Sequence, residues 1–206
     1  MEMMSPSQEY TPIEYIALYG GAFDPFTLAH KAVCDAVFDQ FGWDVWVMPC
    51  WEHKFGKKPT EADLRFEMIE DLAHRMPNYF IPCNWEIIKE HTGSMYETIS
   101  GLKKSHPNKV FYIVIGMDNA NEMEKWDQGD LLIEENPFIV IGRNGHTPTQ
   151  GWFLNEPHKY ITLDIKLSST DVRNAVSEGR YNDAEKMVPP SVWETIQACC
   201  LYGFKS

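Results

Sequence analysis

The sequence of 206 residues predicts a doubly wound α/β domain, with a parallel sheet covered by helices on both faces and a small C-terminal helical tail. Three observations predict it. Short apolar runs alternate with segments of helical periodicity almost from end to end, which is the order of βαβ units rather than hairpins. The runs are continuously apolar, Val110-Phe111-Tyr112-Ile113-Val114-Ile115 most clearly, as strands buried on both faces require. Glycines then close runs on the way into a helix, at Gly20-Gly21 and at Gly116. No repeat, low-complexity stretch or linker divides the chain. A single domain is expected, its core over about residues 13–178 and its tail over about 179–206.

After a polar lead, Ile16-Ala17-Leu18-Tyr19 reads as the first strand, stopped by Gly20-Gly21 and turned by Asp24-Pro25. Ala29, Val33, Ala36, Val37 and Phe41 recur at helical spacing, and Gly42 ends that helix. Trp43 to Met48 is β-branched and aromatic, a strand stopped by Pro49. The polar loop 50–60 holds His53-Lys54 and Lys57-Lys58. Thr60 with Asp63 makes a capping signature for a helix carrying Leu64, Met68, Leu72 and Met76 on one face. A short strand is expected at 79–83, then a less regular stretch to His91, and a helix at 94–106 with Met95, Ile99 and Leu102 facing the core. The strand 110–115 leads into a loop or short helix with Met117-Asp118-Asn119, and Trp126 follows. A helix near 130–135, strands at 138–141 and 160–163 flanking a Gly/Pro-rich loop, and helices from Ser168, Tyr181 and Ser191 complete the chain. In such sheets a ligand lies beyond the carboxyl ends of the strands, where the strand order reverses.

Composition narrows the function. A net charge of −12 argues against a nucleic-acid or anionic-membrane partner, while leaving room for a local pocket that binds a small anion. No apolar run approaches the roughly 20 residues that span a bilayer. The first residues, MEMMSPSQEY, lack the basic and apolar regions of a secretory signal. Five cysteines without a CxxC pair suggest neither a disulfide framework nor a zinc site. Reduced thiols in a cytoplasmic protein are the expectation.

Two helix starts break a local rule. Acidic residues are favoured in a helix's first turn and cations are not. Yet His30 and Lys31 open the first helix, and Arg173 lies early in the helix that begins at Ser168, where Asp171 completes an ordinary cap. A cation there costs about 0.3–1 kcal/mol unless an anion is bound. Either a polyanion lies between the two starts, or these cations are solvated on exposed faces.

The stretch Gly21-Ala22-Phe23-Asp24-Pro25-Phe26-Thr27-Leu28-Ala29-His30 resembles the Gly-x-Phe-x-Pro-x-(His or Thr)-x-x-His signature of the nucleotidyltransferase α/β-phosphodiesterase superfamily. Leu167-Ser168-Ser169-Thr170-Asp171-Val172-Arg173 resembles its second signature. Between them, Glu52-His53-Lys54, Gly116-Met117-Asp118 with Trp126, and the run from Phe138 to Gly145 are similar to the nicotinate/nicotinamide mononucleotide adenylyltransferases. The resemblance implies a Rossmann-like fold and direct transfer of an adenylyl group from ATP to a pyridine mononucleotide, releasing pyrophosphate. Such chemistry asks for in-line positioning and charge stabilisation, and no nucleophilic triad is present to suggest otherwise.

The resemblance also implies roles. Gly20, Gly21, Ala22 and Phe23 would bring backbone amides to ATP, with Thr27 offering one neutral hydrogen bond where many relatives have a second His. His30 would donate to the transferring phosphate, helped by Arg173 and by Lys54 from its loop, with Lys57 and Lys58 as weaker cations. Gly116, Asp118, Arg143, Ser168, Ser169 and Thr170 would complete the ATP site. Phe23, Asp24, Lys54, Thr98, Asp118 and Trp126 would meet the mononucleotide, Trp126 by stacking on the ring. Magnesium would come on the ATP phosphates, with no metal held by the protein alone. Relatives that prefer the acid carry a Thr where this chain has Met95 and an aromatic or His where it has Asp127. Because Asp127 would repel a nicotinate carboxylate, the amide is expected to be tolerated. Two other readings remain open, a sister transferase such as one acting on phosphopantetheine, and a nucleotide-binding regulatory module without turnover. Homo-oligomer formation is also open.

Overall fold

The computed structural model describes residues 12–52, 60–90, 94–143, 148–164 and 166–205, with Arg143 described by its backbone alone. In chain order the larger elements are β1 (Glu14–Gly21), α1 (Leu28–Phe41), β2 (Asp44–Pro49), α2 (Ala62–Ala73), β3 (Phe80–Pro82), α3 (Trp85–Ile88), α4 (Met95–Ser105), β4 (Lys109–Gly116), α5 (Met117–Asn121), α6 (Gly129–Glu135), β5 (Phe138–Arg143), β6 (Lys159–Leu163), α7 (Ser169–Ser177), α8 (Tyr181–Glu185) and α9 (Pro190–Ala198). Single 3₁₀ turns lie at Met123–Lys125, Trp152–Leu154 and Leu201–Gly203.

The six strands form one all-parallel sheet in the order β3-β2-β1-β4-β5-β6. The order reverses between β1 and β4, where Leu18 pairs with Ile113 and Tyr19 with Val114. Both strands end in glycine there, so the crevice that doubly wound sheets use for ligands opens between Gly20-Gly21 and Gly116.

The apolar runs are explained by their alternation. Ala17, Val45, Val47, Tyr112, Val114, Ile139 and Ile141 face one buried layer with α1, α2, α7 and α9. Ile16, Leu18, Phe111, Ile113, Ile115, Phe138 and Val140 face a second layer with α4 and α5. The central stretches of the strands are therefore apolar at consecutive positions, because neither face meets water there. Val192, Trp193 and Ile196 of α9 belong to the first layer, so the tail helices pack into the same core as β1 and β2.

Two local expectations are corrected. The cap of α2 is Glu61, and no side chain caps the helix. The helix starts one residue too late for Thr60 and Asp63 to form a box, and the Thr60 carbonyl instead accepts from Arg65 Nε at 2.8 Å. The buried stripe of α2 is Ala62, Arg65, Met68, Ile69 and Leu72, so Leu64 lies off it and an arginine lies on it.

Candidate active site

A cavity of about 340 Å³ opens at the carboxyl ends of β1 and β4. It gathers Gly20, Gly21, Phe23 and His30 from the first loop and helix, and Gly116 and Asp118 from the β4–α5 junction. Trp126 and the start of α7, Ser168 and Ser169, close it. Met95, Tyr19 and Asn119, none of them assigned a binding role from sequence, also line it.

The loop after β1 takes its shape from contacts behind it. Gly20 and Gly21 keep ordinary negative φ, and the left-handed residue is Phe23 at φ 47°. A Cβ at Gly21 would meet the Phe23 ring at 3.1 Å, so a side chain there would require the ring to give way. At Gly116 a Cβ would meet no protein atom within 4 Å, so the space over that glycine belongs to the cavity. Four loop carbonyls are taken from elsewhere. Gly21 O accepts from the Cys50 amide at 2.9 Å and Ala22 O from Arg65 Nη1 at 2.6 Å. Asp24 O accepts from Arg173 Nη1 at 2.6 Å and Pro25 O from the Ser169 hydroxyl at 2.8 Å. The amides of Phe23 and Asp24 find no acceptor among the described residues. A loop whose acceptors are occupied and whose donors remain is suited to an anion.

His30 is fixed from two directions. Thr27 caps α1, and Thr27 with His30 forms a reciprocal capping box. The Thr27 amide donates to His30 Nδ1 at 2.9 Å. Nδ1 is therefore the acceptor, and the neutral ring carries its proton on Nε2. Around the ring stand Phe23 edge-on at 5.1 Å, Phe26 at 5.3 Å and Tyr19 at 6.1 Å between centroids. Thr27 itself is fully buried and away from the cavity lining, so its observed work is to cap the helix and orient His30. Lys31 pairs with Asp35 at 2.6 Å, one turn along α1. With that carboxylate as neighbour, Lys31 gives no sign of an anion at this helix start.

Facing His30, Ser168 caps α7 in a box with Asp171. The Ser168 amide and hydroxyl donate to Asp171 at 2.8 and 2.7 Å, and these bonds hold the carboxyl below its ordinary range. The cap uses the amide of Asp171 and leaves those of Ser169 and Thr170 as the unspent donors of the first turn. Arg173 holds the Asp24 carbonyl and Thr170 Oγ1 (3.0 Å) with two of its five donors. Asp24 is buried, and its carboxylate accepts from the Tyr202 hydroxyl at 2.8 Å instead of reaching the cavity lining. Thr98 is fully buried and donates to Glu86 at 3.2 Å. Glu86 in turn accepts from the Trp51 amide at 3.3 Å. Asp127 is exposed and absent from the lining. Lys54, Lys57, Lys58 and the Arg143 side chain fall outside the described residues.

Arg65 went unmarked in the sequence. It is fully buried, and its guanidinium spans carbonyls from three segments, Ala22, Cys50 (2.6 Å) with Trp51 (3.3 Å), and Thr60. No carboxylate among the described residues pairs with it. The signal was available, because Ala62, Met68, Ile69 and Leu72 define an apolar stripe that Arg65 interrupts. The described residues gather no group of three His, Cys, Asp or Glu side chains able to hold a metal, and none of their helices is long and apolar enough to cross a membrane.

Residues 18–175 match the cytidylyltransferase-like family. The chain is 30% identical over 193 residues to the probable nicotinate-nucleotide adenylyltransferase of Bacillus cytotoxicus, covering 91% of this chain and 97% of that one. Two structures of the Plasmodium falciparum nicotinic acid mononucleotide adenylyltransferase superpose at 27% identity over 93% of this chain and 98% of theirs. The TM-scores are 0.78 for the complex with NaAD and 0.76 for the complex with APC. A Vibrio parahaemolyticus structure at 20% identity and a TM-score of 0.64 shares the fold. With both signature loops on one cavity at the sheet's switch point, the chain belongs to the nicotinate/nicotinamide mononucleotide adenylyltransferases, within the cytidylyltransferase-like family.

Proposed function

We propose that the cavity binds ATP and a pyridine mononucleotide together and transfers the adenylyl group by in-line attack of the mononucleotide phosphate on the α-phosphorus, with pyrophosphate leaving. The observation that carries this reading is the meeting of two donor sets at one cavity. The first loop with His30 and the first turn of α7 both reach its lining, and Ser169 and Arg173 bind the loop directly. His30 Nε2–H donates to the phosphoryl oxygens as charge shifts to the leaving group. Arg173 and the Ser169 and Thr170 amides take the β- and γ-phosphates. Magnesium enters as part of the Mg–ATP substrate. Trp126, half-buried in the cavity wall, stacks on the pyridine ring, and Asp118 hydrogen-bonds the ribose.

The relatives are named for the acid, and nicotinate mononucleotide is the proposed acceptor. The amide is turned over as well. The ground for that is Met95, which lines the cavity with a thioether that neither attracts nor repels a carboxylate. A cytoplasmic location fits this activity. Incubating the protein with Mg–ATP and each mononucleotide, and measuring pyrophosphate, tests the reading. Turnover with both is expected, and none with either refutes it. A more than hundredfold preference in kcat/KM for the acid refutes the tolerance alone. His30→Ala is expected to lower kcat about 10²–10³-fold, the usual cost of one lost donor to developing charge, while ATP affinity changes little.

A further inference from the structure

We infer that Tyr202 is a positioning residue, a latch that holds the phosphate-facing loop from behind. Tyr202 lies 178 positions from Asp24, yet its hydroxyl donates to Asp24 Oδ1 at 2.8 Å. Asp24 sits between Phe23, whose amide has no acceptor among the described residues, and Pro25, whose carbonyl is taken by Ser169. The carbonyl of Asp24 is already held by Arg173. Tyr202 therefore supplies the one tether on the Asp24 side chain among the described residues, and it acts at the bend where Phe23 takes φ 47°.

The backbone around the latch is bent to deliver it. Cys200 and Tyr202 both stand at positive φ, 50° and 56°, without being glycine. Such conformations persist where surrounding contacts over-determine them. Here those contacts are the packing of Leu201, Tyr202 and Phe204 on the core layer beside α9. Burial, and then the Asp24 carboxylate, push the Tyr202 hydroxyl above its ordinary range.

The kinetic part of this role rests on the adenylyl-transfer reading; the loop-ordering part does not. Tyr202→Phe removes the hydroxyl and keeps the ring in the core, so the fold is expected to survive, which a thermal melt checks. Hydrogen exchange of peptides covering 20–28, measured without substrate, is expected to be faster in the variant, with peptides of β4 and β5 unchanged. Its kcat/KM for ATP is expected to fall about three- to tenfold, the share of one charge-assisted hydrogen bond that reaches the loop. Faster exchange at 20–28 with at least a threefold fall supports the latch. Unchanged exchange there, exchange that rises uniformly over the whole protein, or kcat/KM within twofold of wild type overturns it. If the wild type itself shows no turnover, the function reading fails and the exchange data alone decide the latch.

Discussion

Replacing Arg65 with methionine tests how the loop after β1 is held. Methionine keeps much of the side-chain volume on the buried stripe of α2 and removes every donor. Three carbonyls then lose strong bonds, Ala22 and Cys50 at 2.6 Å and Thr60 at 2.8 Å, while Trp51 loses a longer one at 3.3 Å. A buried polar group left without its partner costs about 1–3 kcal/mol, and removing the buried charge returns part of that. The expected net loss is about 3–5 kcal/mol, against a total stability of about 5–15 kcal/mol for a typical domain. With a urea slope near 2.5 kcal/mol/M, a 4 kcal/mol loss moves the midpoint down by about 1.6 M. Arg65→Lys keeps a charge but offers its donors from one atom, which cannot span three segments, so about half of the loss is expected. Urea denaturation followed by tryptophan fluorescence reads both variants. A midpoint shift in Arg65→Met below about 0.4 M, equivalent to 1 kcal/mol, would mean that the loop carbonyls are satisfied without the guanidinium, and the account of the loop given above would fail.

Trp126→Ala is expected to raise KM for the mononucleotide about 10- to 100-fold, the loss of one ring stack, with a much smaller effect on ATP; equal effects on both substrates in steady-state kinetics would contradict the stacking assignment. His158 is caged by Trp152 and Phe138, its buried Nδ1 has no hydrogen-bond partner among the described residues, and burial lowers its pKa against a smaller opposing pull from Glu156. The unfolded chain then binds a proton more readily than the folded one. This contribution to stability is complete above the ordinary histidine value near 6.5 and is lost as pH falls through the depressed value. Urea midpoints between pH 8 and pH 5 should show the decline in wild type and a flatter profile in His158→Phe, and parallel profiles would assign it to another group.

The sheet was legible because its physics is local and periodic. Residues 110–115 could be nothing but a strand buried on both faces, and Gly20-Gly21 and Gly116 marked where two strands stop. The halves of the site were legible as two helix starts bearing cations, the second with its cap, Ser168 and Asp171, in the right order, while the Thr27 cap of the first emerged only with the fold. What the residues alone could not give was which side chains face the ligand. Thr27, Asp24 and Thr98 are polar, and they stand in motifs expected to bind. Each is buried, and each spends hydrogen bonds on another residue of the protein: His30, Tyr202 and Glu86. Lys31 looked anomalous at a helix start until Asp35 was seen beside it, a pairing at i, i+4 that the sequence already contained. Tyr202 was out of reach for a different reason. Nothing periodic connects positions 178 residues apart, and only the packed tail brings them together.

The loop after β1 has its carbonyls occupied by other segments while the amides of Phe23 and Asp24 keep no acceptor among the described residues, and on the proposed reading that arrangement would suit any tetrahedral oxyanion equally well. Nothing in it depends on a base or a ring. Discrimination must then reside in parts that can vary separately, among them Trp126, Met95 and the residues that follow β4. A protein divided in this way can drift from one nucleotide partner to another while its phosphate-handling half stays fixed.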